Sequence, residues 1–178
     1  MDMQSRLDLQ KLRFLRARKR QRESVSSEIG ALSYIDDATL LSILPAFGQM
    51  TRGLTFTADV DEEAISLIEV FQQFLRTLED KSLVISLPNL REFGATIIST
   101  KVLEKGILNL LHLADDDIHI VGSDLLNSAA ISADRSSCGL YRDLDLRVAG
   151  SIWERQFTDV ARSKKNFSYQ IAHSKDLV

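Results

Sequence analysis

Four acidic residues lie at intervals along the chain, each where a short apolar run ends or where the next helix is expected to begin. They are Asp36, Glu92, Asp124 and Asp143, and Asp145 follows two positions after the last of them. In a chain that alternates helices with parallel strands, side chains at the carboxyl ends of the strands meet along one edge of the sheet. Carboxylates gathered in this way repel one another unless a cation holds them, and oxygen ligands alone favour Mg²⁺ or Mn²⁺. The pattern therefore predicts a divalent metal site, which is the chemistry of phosphodiester cleavage.

The elements that would position these acids are short apolar strands alternating with amphipathic helices. The clearest helix covers residues 59–79, where apolar side chains recur at spacings of three and four. Residues 51–57 are expected to form a turn or loop. We predict strands over 31–35, 82–86, 118–121 and 136–140, and helices over 38–44, 101–113, 125–133 and from Pro88 onward. Sequential strand–helix units favour an α/β fold with a central, mainly parallel sheet flanked by helices.

Composition limits the class of protein. The chain has 178 residues, of which 44% are hydrophobic and 26% charged, and this suits one globular domain. No apolar run reaches the roughly 18 residues of a membrane span, and no apolar segment of a secretory signal is visible near the start. Cys138 is the only cysteine, which excludes an internal disulfide. We therefore expect a cytoplasmic protein without a membrane partner.

The charge is distributed unevenly, because residues 1–30 form a basic helical extension. They hold eight basic and four acidic residues (+4), which leaves 14 basic and 21 acidic residues (−7) for the other 148. A basic segment on an acidic body favours contact with nucleic acid or with an acidic surface. The residues expected to contact phosphates are Arg13, Arg16, Arg18, Lys19, Arg20 and Arg22. Two alternatives are a solvated amphipathic helix and an anchor in which Leu12 and Leu15 pack on the body or on a second copy.

Four segments carry a resemblance to a known family. They are Tyr34-Ile35-Asp36-Asp37, the run from Leu83 to Phe93 that contains Pro88 and Glu92, Ser123-Asp124-Leu125-Leu126 before several alanines, and Gly139-Leu140-Tyr141-Arg142-Asp143. With the acids in register, residues 31–160 resemble a PIN domain, the fold of many small metal-dependent ribonucleases. The extension over 1–30 and a polar tail over 161–178 lie outside the resemblance. The sequence departs from the family pattern after Asp36, where Asp37 and Ala38 replace the usual small polar residues, and at Tyr141.

The PIN resemblance implies an endoribonuclease that cleaves RNA. In that interpretation Asp36, Glu92, Asp124 and Asp143, with Asp145 as a further ligand, hold one or two Mg²⁺ or Mn²⁺ ions that activate water. Similarity to toxins of toxin–antitoxin pairs would also imply an antitoxin-like protein partner and a homodimer. The alternative is a non-catalytic α/β interaction or regulatory module with a degenerate acidic pocket. Zinc, serine-hydrolase and nucleotide-cofactor chemistry lack their usual residue spacings in this sequence.

Overall fold

The computed structural model describes residues 3–48, 52–164 and 170–173 of the chain. The elements of this part are, in order, α1 (Met3–Ile29), β1 (Ser33–Tyr34), α2 (Asp37–Gly48), β2 (Leu54–Ala58), α3 (Asp61–Thr77), β3 (Ser82–Ser86), β4 (Ala95–Ser99), α4 (Thr100–Leu113), β5 (Asp117–Val121), β6 (Ser128–Arg135), β7 (Tyr141–Ala149), α5 (Ser151–Ser163) and β8 (Gln170–His173). Among these helices, none has both the length and the apolar character that a membrane crossing requires.

The protein is α/β, but the prediction of a mainly parallel sheet is wrong. All eight strands form one sheet in the order β1-β4-β3-β5-β6-β7-β2-β8. Every neighbouring pair in it is antiparallel. Parallel neighbours need a long crossover, whereas antiparallel neighbours can be joined by a short loop. Short loops of this kind join β3 to β4, β5 to β6 and β6 to β7.

Four local errors caused the wrong prediction of the sheet. No helix follows Pro88, because the chain turns through residues 88–93 and returns as β4. The helix predicted over 125–133 is a turn followed by β6, and the strand predicted over 136–140 is the β6–β7 loop. In the segment predicted as a loop over 51–57, residues 54–57 belong to β2, while residue 51 lies outside the described residues. By contrast, the helix over 59–79 is confirmed as α3, and the strand over 82–86 as β3.

The main core lies between one face of the sheet and a layer formed by α3, α4 and α5. Helix α3 buries Leu67, Phe71 and Phe74, which recur at the helical period. Helix α5 buries Trp153 and Phe157 four residues apart, and the ring centroids of Phe74 and Trp153 lie 5.6 Å from each other. Burial of each such side chain stabilises the fold by about 1.5–3 kcal/mol. These aromatic contacts fix the helix layer against the sheet.

Helix α2 covers part of the opposite face of the sheet. Its Ile43 and Phe47 pack with Val121 of β5 and Ala130 of β6 in a second, smaller core. Residues whose side chains alternate with the main core along β6 and β7, such as Ser132 and Asp145, face this second side, since successive strand residues point to opposite faces. On β6 and β7, this side of the sheet carries the polar residues Ser132, Asp145 and Arg147.

Only the carboxyl-terminal half of α1 belongs to the body. Val25 is fully buried in the main core, and a side chain added at Gly106 of α4 would clash with Ile29, so α1 and α4 pack closely there. Residues 6–16 are all exposed. We call residues 6–20 the α1 arm. A helix rises about 1.5 Å per residue, so the arm is about 22 Å long.

Candidate functional site

Asp36 ends the segment after β1 and caps α2. Its carboxylate accepts hydrogen bonds from the backbone N–H of Thr39 at 2.9 Å and from the Thr39 hydroxyl at 2.7 Å. These bonds lower the pKa of Asp36. A side-chain oxygen that satisfies the third backbone N–H of a helix is a typical N-cap, so a structural role accounts for the position of Asp36.

Glu92 lies in the β3–β4 loop and accepts hydrogen bonds from two residues of α1. Its carboxylate accepts a hydrogen bond from Gln21 Nε2 at 3.1 Å, and its backbone carbonyl accepts one from Arg18 Nε at 3.0 Å. The guanidinium of Arg18 also pairs with Asp37 at 2.9 Å. Glu92 and Asp37 are therefore joined through Arg18, and Asp36 is at the same end of the sheet.

Asp124 lies at the opposite end, in the β5–β6 turn. Because β5 runs antiparallel to β3, it begins beside the end of β3 and finishes a strand length away, about 17 Å for five residues. The Asp124 carboxylate accepts bonds from the backbone N–H groups of Leu126 and Asn127 and from Asn127 Nδ2, at 2.9, 3.2 and 2.5 Å. Asn127 Oδ1 in turn accepts the Trp153 N–H at 3.2 Å. Asp124 therefore orders a turn that touches the start of α5, and it caps no helix.

Asp143 and Asp145 lie on β7, far along the sheet from Asp36. Five strand spacings separate β1 from β7, which is about 24 Å at roughly 4.8 Å per spacing. Asp143 is exposed and stands opposite Asp134 of β6. Burial raises the pKa of Asp145, whose carboxylate makes a long 3.7 Å ion pair with Arg147.

Asp145 borders a small cleft of about 220 Å³ on the polar side of the sheet. Asp117, His119 and Ser132 also line it, and burial lowers the pKa of His119. Within the described part of the chain, no hydrogen bond links His119 to Ser132 or Asp145. The sequence did not lead us to expect that the residues of this cleft lie together. The alternation of Asp143, Asp145 and Arg147 with buried leucines was the signal for one strand face.

The structure does not bring the predicted ligands together. Asp36 and Glu92 share one end of the sheet, Asp124 lies at the other, and Asp143 and Asp145 are several strands away. Over the described ranges, no group of three or more His, Cys, Asp or Glu side chains could hold a metal ion. A site for two ions needs carboxylates that share them. These residues therefore do not fit the shared Mg²⁺ or Mn²⁺ site that the PIN resemblance implies.

The α1 arm presents a row of exposed arginines. Arg6, Arg13 and Arg20 recur every seven residues, which is close to two helical turns, and Arg16 lies beside Arg13 on the same side. Arg13 and Arg22 are nine residues apart, or two and a half turns, so they point in opposite directions. Because Arg22 faces the body, the arginine row faces away from it. No ion pair joins these four arginines to any described residue.

Two of the six predicted phosphate contacts instead fasten the arm to the body. Arg18 makes the bonds to Glu92 and Asp37 described above. Arg22 donates from Nε to the Phe93 carbonyl at 3.1 Å, and its guanidinium lies 4.1 Å from the ring centroid of Tyr34. Burial lowers the pKa of Arg22. Arg13, Arg16 and Arg20 remain exposed, Lys19 forms an exposed ion pair with Glu23 at 3.7 Å, and Arg6 is an exposed member that the sequence-based set omitted.

Comparisons of the chain with protein-family models, with curated proteins and with solved structures give no match. They therefore neither support nor oppose the PIN resemblance.

Proposed function

We propose that this protein is an RNA-binding interaction protein and that the α1 arm is its RNA-binding element. The observation that carries the proposal is the row of Arg6, Arg13, Arg16 and Arg20, exposed on the side of the arm that faces away from the body. Arginine binds phosphate through a planar, permanently charged fork. Arginine-rich segments are a common means of RNA recognition.

The charge of the rest of the chain directs RNA to the arm. Residues 31–178 carry 14 basic and 21 acidic residues, a net charge of −7, whereas residues 1–30 carry +4. The acidic body repels phosphates, and the arm attracts them beyond the surface of that body. From Arg6 to Arg20 the row spans about 21 Å along the helix axis. It can therefore contact several successive phosphates, each with release of counterions.

Metal-dependent cleavage of RNA stays a prediction of the sequence. Its geometric requirement is a set of carboxylates that share ions, and Asp124 lies a strand length from Asp36 and Glu92. Asp36, Glu92 and Asp124 each have a local structural partner instead. Binding through the arm needs none of these acids. A toxin-type role and an antitoxin-like partner also stay predictions.

The test compares two variants of equal net charge. One is Arg6→Gln, Arg13→Gln, Arg16→Gln and Arg20→Gln on the arm. The control is Arg91→Gln, Arg142→Gln, Arg155→Gln and Arg162→Gln, four exposed arginines of the body. Binding of a fluorescent, unstructured RNA is measured by anisotropy at about 50 mM salt, where phosphate contacts are strong.

We expect the arm variant to bind RNA at least about tenfold more weakly than the wild type, and the control variant to stay within about twofold. Equal losses in both variants would show that net charge alone sets the affinity. A wild-type protein that fails to bind RNA under these conditions would refute the proposed function. Tighter binding to a duplex DNA of the same sequence would move the assignment from RNA to DNA.

A further inference from the structure

The α1 arm has a second side with three exposed apolar residues, one of which, Phe14, has the guanidinium of Arg18 over its ring at 4.6 Å. Leu7, Phe14 and Leu15 are 53%, 40% and 47% exposed. Leu7 is 18 residues, or five full turns, before Val25, which is fully buried in the core. The apolar side of the arm is therefore the continuation of the side that packs on the body. It extends past the last body contact, which Arg18 makes with Glu92 and Asp37.

A groove of about 510 Å³ on the same protein has matching features. It lies between α3, α4 and the β6–β7 loop, and its half-exposed aliphatic residues are Ile65 (46%), Leu108 (48%) and Leu140 (53%). Asp61 lines the groove, and Glu62 and Glu63 follow it in the first turn of α3. The guanidinium of Arg135, also in the groove, is 2.7 Å from Asp116. The groove thus combines exposed aliphatic groups with an acidic edge.

The arm of the same chain is placed to leave this groove open. Helix α1 contacts α4, and α4 contacts α3, so α4 separates α1 from the groove. On the N-terminal side of Arg18 the arm projects from the body, and every residue from 6 to 16 is exposed. The arm of a second copy has no such restriction.

Charge favours this groove over a pairing of two arms. Each arm holds seven basic residues between positions 6 and 20 and one acidic residue, Asp8. Two arms side by side would bring cations together, which is destabilising. An arm in the groove instead places Lys11, which lies one turn after Leu7 on the docking side, beside Asp61 and Glu69, the acidic residues that line the groove. Complementary charges of this kind steer association and suppress the wrong pairing.

We infer that the protein forms a homodimer in which the apolar side of each α1 arm docks in the α3–α4 groove of the other copy. Leu7 and Phe14, about 10.5 Å apart along the helix, would contact the aliphatic residues of the groove. The two contacts are equivalent by a two-fold axis, and this closes the assembly. The arginine row stays outward, so the dimer presents two rows. The inference stands whether or not RNA binds.

The test measures the mass of the RNA-free, full-length protein by sedimentation over a concentration range, with three variants. Leu7→Asp with Phe14→Asp removes the apolar side of the arm, and Leu108→Asp alters the groove. The control is Leu41→Asp with Leu44→Asp, two aliphatic residues of α2 that are 68% and 49% exposed and lie outside both surfaces. Circular dichroism checks that each variant is folded. We expect all three to fold, because the replaced side chains are exposed.

We expect a wild-type dimer, a control that dimerises like the wild type, and a dissociation constant at least about tenfold higher for the arm variant and the groove variant. A dimer that survives Leu108→Asp but is lost in the arm variant would overturn the docking site in favour of paired arms. A wild-type protein that is still monomeric at about 100 µM, which is far above the dissociation constant of most stable dimers, would overturn the inference altogether.

Discussion

Replacement of Asp124 by alanine separates a structural role of this residue from the metal-ligand role that the sequence predicted. In the structure its carboxylate orders the β5–β6 turn through bonds to Leu126 and Asn127. Asn127 Oδ1 also accepts a hydrogen bond from the backbone N–H of Trp153, and Gly150 approaches Asn127 so closely that a Cβ there would clash with Asn127 Oδ1. Loss of the carboxylate therefore loosens the junction between the sheet and α5.

The size of the effect follows from three hydrogen bonds to a charged acceptor. Such bonds contribute about 1.5–3 kcal/mol each when buried, but Asp124 is exposed, so we assign less than 1 kcal/mol to each. The total is about 2 kcal/mol. In a protein of this size that corresponds to a decrease of about 4–8 °C in melting temperature.

The assay is thermal and urea unfolding of the metal-free protein, with Asp143→Ala as the matched control. Asp143 is an exposed strand residue, and its replacement should change the free energy of unfolding by no more than about 0.5 kcal/mol. If Asp124 instead belonged to a crowded metal site, its removal would relieve repulsion and stabilise the metal-free protein. An Asp124→Ala protein as stable as the wild type, or more stable, would refute the structural role.

Three further predictions concern other parts of the molecule. Burial raises the pKa of Asp145, so this carboxylate binds a proton more readily in the folded protein than in the unfolded chain. The stability that the protonated side chain contributes at low pH is therefore lost as pH rises through the pKa of the folded state. Asp145→Asn should therefore stabilise the protein at pH 7 and not below pH ~4, and the same difference in urea unfolding at both values would contradict this. Arg22→Ala should lower the free energy of unfolding by about 1–2 kcal/mol, because it removes the hydrogen bond to Phe93 and the stacking on Tyr34. Arg16→Ala, the control, should leave the melting temperature within about 1 °C of the wild-type value. Millimolar Mn²⁺ should leave the melting temperature unchanged, because the predicted acids do not share a site, and a clear rise would show selective metal binding to the folded state.

Elements with a strong and unambiguous period were predictable from the sequence. Helix α3 repeats apolar side chains at three and four residues over four turns, so its core face was visible without a structure. Strand β6 was not predictable in this way. Its segment from Ser128 to Arg135 contains three alanines, which favour helix by intrinsic propensity. In the fold, its small Ala130 packs under Phe47 of α2, and this tertiary contact outweighs the local preference.

The candidate sites were predictable to different extents for the same reason. The convergence of the acids depended on parallel strands, and the antiparallel pairing of β5 with β3 places Asp124 at the far end of the sheet. The basic character of α1 was evident from composition. The division between anchoring and exposed arginines was not, because it depends on where the helix leaves the body. Arg18 and Arg22 share a side with Val25, and only the burial of Val25 fixes that side against the core.

The salt dependence of RNA binding tests the central claim most directly. For single strands, the logarithm of the binding constant falls by about 0.7 per phosphate contact for each unit of log salt concentration. If Arg6, Arg13, Arg16 and Arg20 each contact one phosphate, the slope for the four-arginine arm variant should be smaller than that of the wild type by about 3. The body control should keep the wild-type slope. Identical slopes for the wild type and the arm variant would contradict the assignment of the α1 arm as the RNA-binding element.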